Sequence, residues 1–325
     1  MPKYTIVIPV KEINDYVRET VPHIQRLHGD SWELIILPNE AAAAEWGDPR
    51  IRLIPSDRVG PGAKRDIGGK EAKGEILVFL DDDSYPQSDL LDVADRYFAD
   101  AGVVAIGGPG ITPPHDSFWQ RVSGAMFLSR LSGGAPERYV PVGSVREVDD
   151  WPSVNLMVRK DDFLAVGGFD TPFWPGEDTK LCLSLIKNTG KRILYVPELI
   201  VWHHRREGLL RHLKQVGAYG LHRGFFVKKY PETSRRLSYF APSGLLALAL
   251  LSLLLPWLPQ ALGRMALIGW SVYGIALMFA FRDISRHESL RVSAIAVWYT
   301  FLSHLYYGLR FIQGMFTRQL ESTLR

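Results

Sequence analysis

Asp81, Asp82 and Asp83 stand together directly after five apolar residues, Ile76 to Leu80. Carboxylates at the lip of a buried strand repel one another and lose hydration unless something positive sits among them. Side chains alternate along extended backbone, so Asp81 and Asp83 share a face while Asp82 points away. Two readings stand: a hard divalent cation held by Asp81 and Asp83 and shared with a phosphate-bearing ligand, or a solvated acidic turn. A second acidic pair, Glu177 and Asp178, follows Trp174-Pro175-Gly176 and opens a helical run to Lys187, with Gly190 as its stop. Carboxylates in that position either cap the helix and meet its dipole or present a general base beside a bound ligand. His203, His204, Arg205 and Arg206 are consecutive; they offer one imidazole for a metal and guanidinium groups for phosphate, or form a basic edge near a membrane. Residues 60–69, with Lys64 and Arg65 among five glycines and prolines, read as a phosphate-cradling turn or as a helix start with basic residues on its wet face. The segment lacks the spacing of a P-loop or a dinucleotide fingerprint.

These groups need a scaffold, and the apolar pattern supplies one. Residues 4–10 read as a buried strand, 17–27 as a helix and 33–37 as a second strand, which together predict a parallel pair with a right-handed crossover. A short strand at 51–54, a helix within 60–73 and the strand at 76–80 continue an α/β half whose ligand crevice lies beyond the carboxyl ends of the strands. Residues 107–150 are rich in Gly, Pro and charge and predict a long connection over the site, with one helix at 118–131. Order resumes with a strand around Val154, Leu156 and Val158, a helix opened by Asp161 and Asp162 and closed by Gly167-Gly168, and a strand at 192–196.

The chain has 325 residues and a net charge of +3, which gives no case for a nucleic-acid partner. Cys182 is the single cysteine, so neither a disulfide framework nor a Cys-based zinc site is expected. The opening residues carry no signal-peptide pattern. Residues 207–236 mix leucines and phenylalanines with Arg211, His212, Lys214, His222, Arg223, Lys228 and Lys229, the pattern of a basic amphipathic helix on an anionic membrane surface or of a packed core helix. Apolar runs at 240–258, 265–281 and 292–312 predict about three transmembrane helices, the second at the short limit. Arg282, Arg286 and Arg291 fall in one loop and Arg264 alone in the other, so the positive-inside rule puts residues 1–206 in the cytoplasm and the short tail outside. The expectation is therefore a multi-pass protein of the inner (plasma) membrane, with units at 1–206, 207–236 and 237–325.

Ordered motifs from residue 3 to about 225 resemble glycosyltransferase family 2, the inverting nucleotide-sugar enzymes of GT-A fold. They are Ile6-Val7-Ile8-Pro9-Val10 with Glu12, the run Gly62 to Gly68, the run Gly74 to Asp83, Asn155 with Gly167-Gly168-Phe169-Asp170, Gly176-Glu177-Asp178, and Tyr195-Val196-Pro197 with Val201-Trp202-His203. The resemblance implies a mostly parallel central sheet flanked by helices. It implies a metal site at Asp81, Asp83 and His203 for Mn²⁺ or Mg²⁺, and a catalytic base at Asp178 with Glu177 beside it. It implies nucleotide-sugar contacts from Pro9, Glu12, Asn39, Lys64, Arg65, Asp66, Asp81 and Asp82. Asn155, Trp174, His204, Arg205 and Arg206 are expected to meet acceptor or phosphate.

The chain departs from the family pattern in three places. Leu37-Pro38-Asn39-Glu40 replaces a strand end in aspartates, Asp66 stands where Asn is usual, and Lys180 and Ser184 replace acidic and arginine residues. The Gln-x-x-Arg-Trp signature of processive synthases is absent, which favours transfer of one sugar. The expected reaction is single-sugar transfer to a lipid-linked or cell-envelope glycan acceptor. The alternatives are an inactive transferase-like membrane scaffold and a metal-dependent nucleotidyl- or phosphotransferase.

Overall fold

The computed structural model describes residues 1–43, 45–257 and 259–320. Two compact units divide them: Met1–Ile111 with Val140–His204, and Thr112–Tyr139 with Arg205–Leu320.

The first unit begins β1 (Tyr4–Pro9), α1 (Asp15–Gln25), β2 (Trp32–Leu37), β3 (Ile51–Leu53), α2 (Pro61–Glu71), β4 (Ile76–Leu80), β5 (Ser84–Pro86), α3 (Leu90–Phe98), β6 (Val103–Gly107) and β7 (Gly110–Ile111). After α4 (Phe118–Ala125), which belongs to the second unit, it resumes with β8 (Arg146–Val148), β9 (Asn155–Arg159), α5 (Lys160–Ala165), α6 (Glu177–Thr189), β10 (Arg192–Tyr195) and β11 (Val201–His203). An eight-stranded sheet runs β3-β2-β1-β4-β9-β6-β10-β8, and β5-β11-β7 form a small second sheet. β1 to β4 are mutually parallel, whereas β9 lies antiparallel between β4 and β6.

Strand alternation divides the core into two layers. Ile6, Ile8, Leu34, Ile36, Val78 and Leu80 face α1 and α3, while Val7, Ile35, Leu37, Leu77 and Phe79 face the side covered by α2, α5 and α6. Strands buried on both faces read as unbroken apolar runs, and that is why β1, β2 and β4 were legible without alternation. Helix α2 lies close on β1 because Gly68 has no side chain: a Cβ there would stand 2.5 Å from Val7 Cγ1.

The second unit is helical: α4, then α7 (Leu209–Lys229), α8 (Pro231–Ser234), α9 (Leu237–Leu254), α10 (Gln260–Ile284) and α11 (Leu290–Phe316). The helix expected at 118–131 is shorter. Ser117 and Gln120 form a capping box that opens α4, and it ends at Ala125.

The basic helix expected at 207–236 is α7 with α8. The buried side of α7, with Val216, Phe225 and Phe226, is turned inward; Gly217 lies against the Tyr306 ring, and Gly220 and Gly224 lie against the backbone of α11. A Cβ on Gly220 would lie 2.7 Å from the Tyr307 carbonyl oxygen, and one on Gly224 2.1 Å from that of Phe311; Gly314 returns the contact against Leu221. Small residues at this spacing let two helix backbones approach closely. Of the three expected spans, α9 and α10 are long and apolar enough to cross a membrane; α11 does not meet that test among the described residues. Ser293, Thr300 and Ser303 are buried along it and lower its hydropathy.

His212 on α7 is buried, its Nε2 3.1 Å from Ser303 Oγ and its ring beside Phe127 and Tyr299. Burial lowers its pKa from 6.5 to about 4, so the folded chain keeps a neutral ring that the unfolded chain protonates. Stability is complete above pH 6.5 and is lost as pH falls toward 4, by up to about 3 kcal/mol. The His212→Gln variant should therefore show a weaker fall in unfolding midpoint between pH 6.5 and 4 than the parent; parallel curves would mean that His212 is charged when folded. Gly224→Ala should lower the midpoint at every pH, by about 1–3 kcal/mol from overpacking.

Candidate active site

The carboxyl end of β4 opens into a turn rather than more strand. Asp81 N–H donates to Ser84 Oγ (3.1 Å), and Ser84 Oγ donates to the Asp81 carbonyl (2.9 Å). The aspartates therefore do not alternate as extended backbone would make them. Asp81 and Asp83 are brought together instead by this turn and by the antiparallel pairing of β5 with β11, in which Ser84 faces His203. His203 Nε2 lies 3.2 Å from Asp83 Oδ1. One ligand atom each from Asp81, Asp83 and His203 falls within 4.8 Å of the others. Two hard carboxylates and an imidazole form a donor set that suits Mn²⁺ or Mg²⁺ more than a thiolate-seeking metal. Asp82 turns elsewhere, accepting from Asn14 Nδ2 (2.9 Å), while Asn14 Oδ1 caps α1 through Val17 N–H.

Glu177 and Asp178 start α6 after Gly176, whose φ of +113° is a conformation L side chains rarely adopt. Asp178 is half-buried and its Oδ1 accepts from Thr179 N–H (2.8 Å). Glu177 is 4% exposed and pairs with Arg65 at 3.2 Å. Burial, and then the Asp178 carboxylate, push Glu177 above the usual carboxylate range, with Arg65 opposing. Arg65 is itself 2% exposed, and its other terminal nitrogen meets Asp81 at 2.5 Å. One buried guanidinium thus bridges the two acidic clusters. Its terminal nitrogens meet protein carboxylates.

Lys64 likewise meets groups of the protein. Its ammonium donates to the Val10 carbonyl (2.6 Å), the Leu37 carbonyl (3.1 Å) and Asn39 Oδ1 (2.7 Å), using all three protons. It ties the ends of β1 and β2 together. Burial lowers it to about 8 against the pull of Asp82. Asp66 accepts the backbone N–H groups of Phe169 (2.7 Å) and Asp170 (3.3 Å), fastening α2 to the turn after α5. Asn155 is fully buried, with Nδ2 donating to the Leu199 (2.7 Å) and Pro109 (3.3 Å) carbonyls. It bridges two loops.

His204 points opposite to its neighbour, as successive side chains on extended backbone do. It stacks on Tyr16 with centroids 4.7 Å apart, and its Nε2 lies 3.1 Å from Glu19 Oε2, both on α1. Arg205 belongs to the second unit, with Nε on Thr112 Oγ1 (3.1 Å) and its guanidinium over Tyr139. Arg206 and Trp174 are half-buried, Pro9 is buried at the end of β1, and Glu12 is exposed just beyond it. Sequence reasoning missed Asn14 and Glu19. The N-cap signal of Asn14 ahead of α1 was readable, but its reach to Asp82 was not.

Comparison with known proteins fits this geometry. Residues 76–311 match glycosyl transferase family group 2, and residues 5–144 match glycosyl transferase family 2. The chain belongs to this family. It is 26% identical over 265 residues to a pre-mycofactocin glycosyltransferase of Mycobacterium tuberculosis, covering 81% of this chain and 54% of that one. It is 23% identical over 167 residues to a dolichyl N-acetyl-alpha-D-glucosaminyl phosphate 3-beta-D-2,3-diacetamido-2,3-dideoxy-beta-D-glucuronosyltransferase of Methanococcus voltae, covering 50% of each. The chain spans about half the length of the curated relatives it matches. Its fold is similar to that of the mannosyltransferase PcManGT from Pyrobaculum calidifontis, solved with GDP-Man and Mn²⁺, with TM-score 0.55, 16% identity, and coverage of 98% of this chain and 88% of that one. The fold is the GT-A glycosyltransferase fold.

Lys64→Met leaves three carbonyl acceptors without their donor. It should lower stability by about 2–4 kcal/mol, read as a lower urea midpoint. An unchanged midpoint with weakened nucleotide binding would restore the phosphate role.

Proposed function

We propose that the protein transfers a single sugar from a nucleoside-diphosphate sugar to an acceptor hydroxyl with inversion, at the membrane. The observation that supports it most is the convergence of Asp81, Asp83 and His203, joined through Arg65 to the start of α6 where Asp178 stands. Asp81, Asp83 and His203 would hold a divalent cation, which supplies positive charge for the departing diphosphate. Asp178 takes the proton of the acceptor hydroxyl. The acceptor oxygen forms a bond to the anomeric carbon as the bond from that carbon to the phosphate oxygen breaks, and the electron pair leaves with the nucleoside diphosphate. Glu177, buried on Arg65, keeps a second carboxylate out of that role. The packing of α2, through Arg65 and Asp66, positions both acidic groups.

A lipid-linked acceptor is the reading favoured by the exposed apolar surface of α9 and α10 and by the dolichyl-phosphate substrates named for two relatives. The catalytic unit then works on the cytoplasmic side, where nucleotide sugars are made.

The test uses full-length protein in detergent with a panel of nucleoside diphosphates and nucleotide sugars, titrated with Mn²⁺ and then with chelator. Asp178→Asn should reduce turnover by at least about 100-fold while leaving donor affinity within a few fold. Equal loss of both would contradict the base role. Asp83→Ala should remove the metal-dependent part of donor binding, and binding indifferent to chelator in the parent would defeat the metal site. Turnover with soluble acceptors alone, and none with lipid extracts, would reject the lipid-linked acceptor.

A further inference from the structure

Helices α9 and α10 are almost uncovered. Only 6% and 11% of their most apolar stretches are buried, and Leu250, Leu253, Leu267, Ile268, Val272 and Met278 are exposed. From Leu237 to Phe281 the sequence holds one formal charge, Arg264. Basic residues stand at both ends of this pair: Lys228, Lys229, Arg235 and Arg236 before α9, and Arg282 in the last turn of α10 with Arg286 and Arg291 beyond it. Apolar flanks framed by cations match a bilayer with anionic headgroups.

Helix α11 behaves differently. It runs beside α7 from His212–Ser303, 3.1 Å apart, to Lys228, whose ammonium donates to the Thr317 carbonyl at 2.7 Å. Between these two contacts the glycines described above keep the helix backbones touching. Helix α7 carries Arg211, Lys214, Arg223, Lys228 and Lys229, too many charges for hydrocarbon. Lys228 precedes the apolar region and Thr317 follows it. Residues joined by one hydrogen bond lie on the same side of a bilayer whose hydrocarbon core is about 30 Å thick.

We infer that the chain crosses the membrane an even number of times, with α9 and α10 as the lipid-embedded pair. Helix α11 is not a third span, and the end of the described chain returns to the side from which α9 departs. This rests on the membrane reading above and replaces the outside tail expected from three spans. Both basic flanks then lie on one side and Arg264 alone near the start of α10 on the other, as the positive-inside rule requires.

The experiment places single cysteines in a Cys182→Ser background at Lys229, Gln260 and Gln319, and labels spheroplasts and inverted vesicles with a membrane-impermeant maleimide. Lys229→Cys and Gln319→Cys should both label in inverted vesicles and stay unlabelled in spheroplasts. Labelling of the two from opposite sides overturns the inference. Gln260→Cys labelling from outside, or from neither side, supports an embedded pair; labelling from the same side as Lys229→Cys overturns it.

A carboxyl-terminal green fluorescent protein fusion of the unsubstituted chain gives the second readout, and should fluoresce. An active alkaline phosphatase fusion instead would place the end outside. Recovery of the protein in the soluble fraction, or crosslinking of α9 and α10 to a second copy without vesicle binding, would overturn the lipid assignment itself while leaving the transferase assay able to succeed or fail separately.

Discussion

A guanidinium buried between two carboxylates holds the candidate site together. Arg65 reaches Asp81 at the end of β4 with one nitrogen and Glu177 at the start of α6 with the other. Without it, a 4%-exposed glutamate would face Asp178 with no opposing charge nearby, an arrangement that burial makes unfavourable by several kcal/mol. Buried charge pairs are weak sources of stability, since desolvation offsets their attraction, but removing one partner is strongly unfavourable. The value of this pair lies in placement. Because α2 is pressed onto β1 at Gly68 and fastened at Asp66, the Arg65 side chain starts from a fixed point, and both acidic groups inherit that position.

The cations on α2 illustrate a division that chemistry type alone does not reveal. Lys64, Arg65 and Asp66 occupy successive positions on one helix turn, yet each serves a different junction: strand ends, acidic clusters and a turn. The Lys64 ammonium, the terminal nitrogens of Arg65 and the Asp66 carboxylate each meet protein partners, which offsets the penalty of burying them. The candidate chemical groups are less enclosed: Asp178, Asp81 and His203 are half-buried.

The fold was legible to the extent that burial on both faces writes itself as apolar runs, and β1, β2, β4 and β9 fell where Ile8, Ile35, Val78 and Leu156 indicated. The sequence could not show that β9 lies antiparallel in the middle of the sheet, because a buried strand has the same composition in either direction. The convergence of Asp81 and Asp83 was expected for the wrong reason: strand alternation was assumed where a Ser84-stabilised turn does the work. The internal partners of Lys64 and Asn155 could not be read from the sequence, because a buried polar side chain and a ligand-binding one are the same residue until their partners are known. In α11 the hydropathy of Val292 to Ile312 suggested lipid, while the glycines on α7 that claim one of its faces lie some 80 residues earlier.

The distance in sequence between β4 and β11 sets the order in which the site can exist during synthesis. Asp83 emerges from the ribosome roughly 120 residues before His203, an interval of about 10 s at ordinary elongation rates. For more than half of that time β4 also lacks its neighbour β9, so an apolar strand ending in three carboxylates waits with one edge unpaired. Those charges are well placed to keep nascent chains from pairing edge to edge. The aspartates gathered around one site in the finished protein thereby double as a guard on the unfinished one.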